Sequence, residues 1–294
     1  MKSKSLIILV ILIAVAIGSC QKKSDQQSPG PVAYQLKLIE QWATPQTLRV
    51  PESVLYDPAR EVLYISNVNG GPLEKNGQGF ISRVSLSGEI LNLEWVTGLN
   101  APKGSGIWQG KLYVTDIDEL VEIDIETGQI TNKYPAAGAG FLNDIAVDDS
   151  GNVFISDMSE QNSVIYKFSA GKLEPWLKDP QISQPNGLFV EAGKLLVGTW
   201  DGFLKSISLK DKTITTIAKT GFGIDGIQSD GKGNYLVSDW QGKTAFVSSA
   251  GEVKLLLDTS GSNINSADIE YVPEKQLLLV PTFFDNRVVA YLFQ

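Results

Sequence analysis

A short unit recurs six times along this chain, and its spacing constrains the fold more than any single motif does. The copies are PESVLYDPAREVLYISN around Glu52, PKGSGIWQGKLYVTD around Lys103, LNDIAVDDSGNVFISD around Asn143, PNGLFVEAGKLLVGT around Asn186, IDGIQSDGKGNYLVSD around Asp225 and SADIEYVPEKQLLLVPT around Ala267. Each reads as a strand, a tight turn and a second strand, the turn carrying Gly, Asp or Pro. From anchor to anchor the spacings are 51, 40, 43, 39 and 42 residues. A period of roughly 40 to 50 residues built from short strands is that of a β-propeller, one four-stranded blade per repeat. Third strands follow each hairpin (FISRVSL, LVEIDI, VIYKFS, FLKSISL, TAFVSS), and weaker fourth strands come after them (LNLEWV, LEPWL, TITTIA, VKLLLD). The last copy stops after RVVAYLF without a fourth strand, while LKLIEQWAT stands alone ahead of the first copy. Leu36 to Trp42 is therefore expected to supply the outer strand of the last blade, which closes the ring and removes an exposed edge. The expected fold is all-β, a six-bladed propeller over residues 34–294, with no helix longer than a turn or two beyond the leader.

The first twenty residues, MKSKSLIILVILIAVAIGSC, place two lysines before an uncharged apolar run that ends in Gly18-Ser19-Cys20. Small residues directly before a cysteine read as a lipobox: residues 1–19 a signal peptide, Cys20 the acylated thiol. An uncleaved membrane anchor is the competing reading of the same run. Residues 20–33 are polar and contain Pro and Gly, as a flexible tether would. Cys20 is the only cysteine, so an exported domain would have no disulfide and must be stable through its own core. The expected location is the cell envelope, lipid-anchored. Gln21 rather than Asp after the cysteine favours the outer membrane in a cell with two, and the side it faces is open. Removal of the two leader lysines takes the formal charge from −8 to about −10, with no basic cluster to offset it, so nucleic acid is not an expected partner.

Propeller topology puts the residue preceding each first strand at one mouth of the central channel. Glu52, Lys103, Asn143, Asn186, Asp225 and Ala267 would then form a ring, although they span more than 200 positions. Two carboxylates and two carboxamides are hard oxygen donors of the kind calcium takes. The absence of His removes His-containing zinc sites and every Ser-His-Asp or Cys-His mechanism. A local calcium loop at Asp148, Ser150 and Asn152 fails, because Val153 and Ser159 stand where such a loop needs Gly and Glu.

Through PES with Glu52, LND with Asn143, PNGL with Asn186 and DGI with Asp225, the chain resembles the six-bladed propellers of the regucalcin/gluconolactonase group, with paraoxonases more distant. The resemblance covers the whole domain. It implies one divalent cation, usually calcium, held by Glu52, Asn143, Asn186 and Asp225, and hydrolysis of lactones or related esters with Asp225 as both ligand and general base. Two residues depart from the pattern. Phe141 stands where sugar lactonases of the group carry an Arg, which makes the pocket more apolar. Lys103 lies in the ring, where its ammonium either neutralises Glu52 or Asp225 in place of a metal or turns outward to an anionic substrate or an oxyanion.

The connections between second and third strands should surround the same mouth. The longest, Asn67 to Gly79, could act as a lid. Trp200, Trp240, Phe283 and Phe284 either form an aromatic rim for substrate or pack between blades. Asp116, Asp157 and Asp239, each ending a second strand, read as turn caps. Trp42, Trp95 and Trp176 fall on outer strands and read as structural. Two functions remain: a metal-dependent hydrolase, and a non-catalytic lipoprotein that binds a small ligand or a partner through the mouth.

Overall fold

The computed structural model describes residues 36–294; the leader, Cys20 and the whole of the tether lie outside the described residues. Six four-stranded antiparallel sheets follow one another. Their innermost strands are Pro51–Asp57, Pro102–Trp108, Leu142–Val147, Pro185–Glu191, Ile227–Ser229 and Glu270–Val272. In each of the first five blades the next three strands pair outward in sequence order. In the second blade the fourth strand is Gln129–Pro135, whose sequence QITNKYP is polar and largely exposed. In the last blade the order is broken: Leu38–Ala43 pairs antiparallel with Val288–Phe293, Leu38 opposite Phe293 and Ala43 opposite Val289. The ring is closed as the unpartnered N-terminal strand required. Among the described residues the only helical segments are three single 3₁₀ turns, and no helix is long and apolar enough to cross a membrane.

The core is not one central mass but six seams between neighbouring blades. Leu63, Ile65, Val272, Leu279 and Ala290 fill the seam between the last and first blades, and Val62, Tyr64, Leu112 and Val121 that between the first and second. Four comparable clusters complete the circle. Second and third strands are buried on both faces, which explains their continuous apolar runs, while fourth strands such as Lys172–Leu177 are half exposed and correspondingly weak in sequence.

Two of the three outer tryptophans stitch these seams at turn glycines. Gly88, at φ 85°, lies under the Trp42 ring, where an added Cβ would come within 2.6 Å of it, and Gly128, at φ 69°, lies under Trp95 in the same way. Trp176 meets Phe154 edge-on at 5.0 Å. All three are structural, as their positions implied.

Candidate functional site

Four of the six ring residues sit in a β-bulge at the start of an inner strand. Register breaks between Pro51 and Ser53, Pro102 and Ser105, Leu142 and Ile145, and Pro185 and Leu188, leaving Glu52, Lys103, Asn143 and Asn186 out of the ladder. A bulge turns a side chain out of the alternation, here towards the channel mouth. Proline opens three of these strands, a position where its missing N–H is harmless. In the fifth blade the pairing stops earlier, and Asp225 precedes its strand, with its N–H bonded to the Ser238 carbonyl at 2.8 Å.

The residue after each ring position decides how closely neighbouring blades approach. A Cβ on Gly104 would lie 2.5 Å from the Asp144 Cα, one on Gly226 would lie 2.6 Å from the Ile269 N, and one on Gly187 would run into the Asp225 carbonyl oxygen. These glycines let successive inner strands close on one another, and so set the width of the ring.

Glu52, Lys103, Asn143, Asn186 and Asp225 line a single cavity of about 460 Å³. All five are buried, none more than 5% exposed. Ala267 is buried beside them, packed with Val68, Ala101, Ile117 and Phe283, and contributes no polar group. Asn186 Nδ2 donates to Asp225 Oδ1 at 2.5 Å, and Asn143 Nδ2 to the Met158 sulfur at 2.9 Å. Three oxygens in the cavity have no hydrogen-bond partner: Glu52 Oε2, Asn186 Oδ1 and Asp225 Oδ2. Leaving buried acceptors unsatisfied costs of order 1–3 kcal/mol each, more for charged groups, and the cost is visible in the titration of the acids. Burial pushes the Asp225 carboxyl up to about 7 against the opposing hydrogen bond from Asn186. Burial and the neighbouring Asp225 push Glu52 well above the ordinary carboxylate range, with Lys103 opposing.

These residues fit a hard divalent cation. It would satisfy all three orphan oxygens at once and neutralise two carboxylates that burial otherwise drives towards protonation. Among the described residues no group of three or more His, Cys, Asp or Glu side chains is placed to hold a metal, so a cation here would depend on the two amide oxygens.

Lys103 takes neither carboxylate. Its ammonium donates to the carbonyls of Ala101 and Pro72, each at 2.9 Å, and lies 5.1 Å from the centre of the Phe141 ring. Phe141 thus presents a π face to the lysine. Pro72 belongs to the Asn67–Gly79 connection, so Lys103 fastens that long loop over the cavity, with Leu73 half exposed at its outer side.

The aromatic groups divide the two roles foreseen for them. Trp200, Trp240, Phe283 and Phe284 all line the cavity. Phe283 is also packed into the Ala267 cluster, and Trp240, Phe283 and Phe284 meet edge to face, with centroids 4.8 to 5.9 Å apart. Trp200 and Phe284 are the exposed members, 40% and 61%. Asp116, Asp157 and Asp239 are turn braces. Asp116 accepts from the N–H groups of Asn100 and Ala101, Asp157 from those of Phe141 and Ser159, and Asp239 from that of Gln241.

Three channel carboxylates were not singled out from the sequence. Asp144, Asp268 and Glu270 line a second cavity of about 240 Å³ deeper in the channel, with Gln228. Asp144 accepts from the N–H groups of Ile145 and Leu188, each at 2.6 Å, and lies beside Asp268. Burial raises Asp144 to about 7 and Glu270 to about 8, and burial together with Asp144 raises Asp268 well above its ordinary value. The signal was present in the repeat: Asp144 and Asp268 follow ring positions where three other blades carry glycine.

No protein-family profile matches the chain, and no curated protein matches it. Its fold, by contrast, is shared by 1280 chains of known structure, too many to point to one chemistry. One, provisionally assigned as a gluconolactonase, is similar with a TM-score of 0.64 and 16% identity, over 88% of this chain and 94% of that one. Another, from a nidogen/laminin complex, is similar with a TM-score of 0.57 and 16% identity, over 72% and 86%. What these likenesses establish is the architecture: a six-bladed β-propeller of the gluconolactonase-like form.

Proposed function

We propose that this propeller is a divalent-cation-dependent hydrolase of lactones or related esters, acting at the channel mouth. The observation that carries the reading is the set of three buried, unpartnered oxygens, Glu52 Oε2, Asn186 Oδ1 and Asp225 Oδ2, in one cavity. With Asn143 they would hold the cation, calcium by the hardness of the donors and the absence of imidazole. When bound, such a cation supplies polarisation of the ester carbonyl.

The chain's own residues supply the base and the setting. Asn186 orients the Asp225 carboxylate through Oδ1, and this carboxylate would accept the proton of the attacking water. Burial raises this carboxyl to about 7 and a bound cation would lower it again, so the two act in opposite directions on the base. Phe141, Met158 and the aromatic rim keep bulk water from the site and receive the body of the substrate. Calorimetric titration of the purified full chain with calcium tests the first requirement: one site of at least micromolar affinity is expected, and a folded protein that takes up no calcium overturns the reading. Lactone turnover by wild type and Asp225→Asn tests the second, with a loss of about 10²-fold or more expected for the variant.

We also infer that the chain is exported and anchored through an acylated Cys20, on the strength of the Gly18-Ser19-Cys20 sequence. The full chain is then expected to partition into the detergent phase on warming in Triton X-114. The Cys20→Ala form should stay in the aqueous phase, and equal partition of the two would remove the anchor.

A further inference from the structure

Lys103 is the one charged group at the mouth that the proposed hydrolysis does not employ. It is 2% exposed, and burying an ammonium costs several kcal/mol unless its protons are bonded and its charge is offset. Two protons go to the carbonyls of Ala101 and Pro72, while no described residue accepts the third. No carboxylate lies within ion-pair distance of it. Burial lowers its pKa to about 8, with Glu52 and Asp116 opposing.

The charge balance of the cavity adds a second observation. Glu52, Asp225 and Lys103 are its only charged lining residues. A divalent cation on the two carboxylates leaves the site with one net positive charge, in a low-dielectric setting where it draws a single anion strongly. The remaining walls are mainly apolar: Phe141, Met158, Trp200, Trp240, Phe283 and Phe284. Apart from the two cation-binding amides, only Gln184 offers a side-chain amide, so a polyhydroxylated sugar lactone would leave most of its hydroxyls unpaired.

We propose that the mouth cavity binds a monoanionic ligand with an apolar or aromatic body, its carboxylate or similar anion on the Lys103 ammonium and its body against the Trp200, Trp240 and Phe284 rim. The inference rests on the hydrolase reading for the offset of Glu52 and Asp225, and it narrows that reading: the substrates are hydrophobic lactones or esters carrying an anionic group away from the bond cleaved.

The test uses 2-naphthylacetate, its neutral amide and gluconate as probes on the full chain, with calcium and with EDTA. Tryptophan fluorescence and calorimetry follow binding. In calcium the acid should bind at least about tenfold more tightly than the amide, and gluconate should not compete. Lys103→Met should abolish the preference for acid over amide; Lys103→Arg should keep the preference. Equal affinity of acid and amide for the wild type, or an unchanged preference in Lys103→Met, overturns the proposal, and the wild-type comparison decides even if the variant fails to fold. Calcium uptake without acid preference refutes the anion site alone. Acid preference dependent on Lys103 without calcium uptake refutes the hydrolase reading and leaves the anion site standing.

Discussion

Asp225 concentrates the chemistry of this molecule in one side chain. Its Oδ1 is held by Asn186 and its Oδ2 has no partner, so the group is oriented but not neutralised. A proton and a cation compete for the same oxygen. With Asp225 raised to about 7 and Glu52 raised as well, calcium affinity should fall as pH drops from 8 to 6, by about tenfold per pH unit for each carboxylate that must give up a proton, and calorimetric titrations at three pH values would read it. A pH-independent affinity would mean that the cation displaces no proton from Asp225. At this scale the repeat made much legible. Glu52, Asn143, Asn186 and Asp225 were each found by offset from a recurrent hairpin, and they share one cavity. The partners of Lys103 were not legible, because Pro72 comes from a loop 31 residues away with no pattern of its own. Nor was the meeting of Asp144 with Asp268, which stand on the third and sixth blades and approach each other only across the closed channel.

Strands and their connections carry the next level of argument. The closing strand Leu38–Ala43 has three exposed residues among six and little β-propensity of its own, yet it is held along its length by Val288–Phe293 and clamped to the first blade by Trp42 over Gly88. Gly88→Ala meets two obstacles, a left-handed backbone at φ 85° and the Trp42 ring, and should cost ~1–3 kcal/mol by urea denaturation. Gly98→Ala, also left-handed but with no atom near its Cβ position, should cost less than Gly88→Ala, and the difference isolates the ring contact. The outer strands were the least visible in sequence, as Gln129–Pro135 illustrates, because an outer strand is half solvated and needs no sustained apolar alternation. The inner strands of the fifth and sixth blades are only three residues long, since the chain leaves the ladder early on its way to the ring.

For the molecule as a whole, the channel is a column of carboxyls that the fold makes reluctant to ionise. Asp144 and Asp225 are raised to about 7 and Glu270 to about 8, so between pH 5 and 8 the folded protein holds protons that the unfolded chain has already released. Stability therefore falls as pH rises through this window. In EDTA the melting temperature should be lower at pH 8 than at pH 5 by ~5 °C or more, and calcium should recover part of the loss at pH 8. A melting temperature that rises over the same interval would show that these carboxyls are ionised without penalty. The architecture that imposes this was written in the chain from the start: a 40-residue period, alternation within hairpins, an orphan strand at the N-terminal side and a last blade one strand short are local or near-local patterns, and local patterns specify blades, their number and their closure. The chemistry of the mouth was not local. Whether Lys103 neutralises a carboxylate, which oxygens are left without partners and how three further acids come to share a proton-holding channel depend on distances across seams between blades, and those distances exist only once six hydrophobic interfaces have packed and the ring has shut.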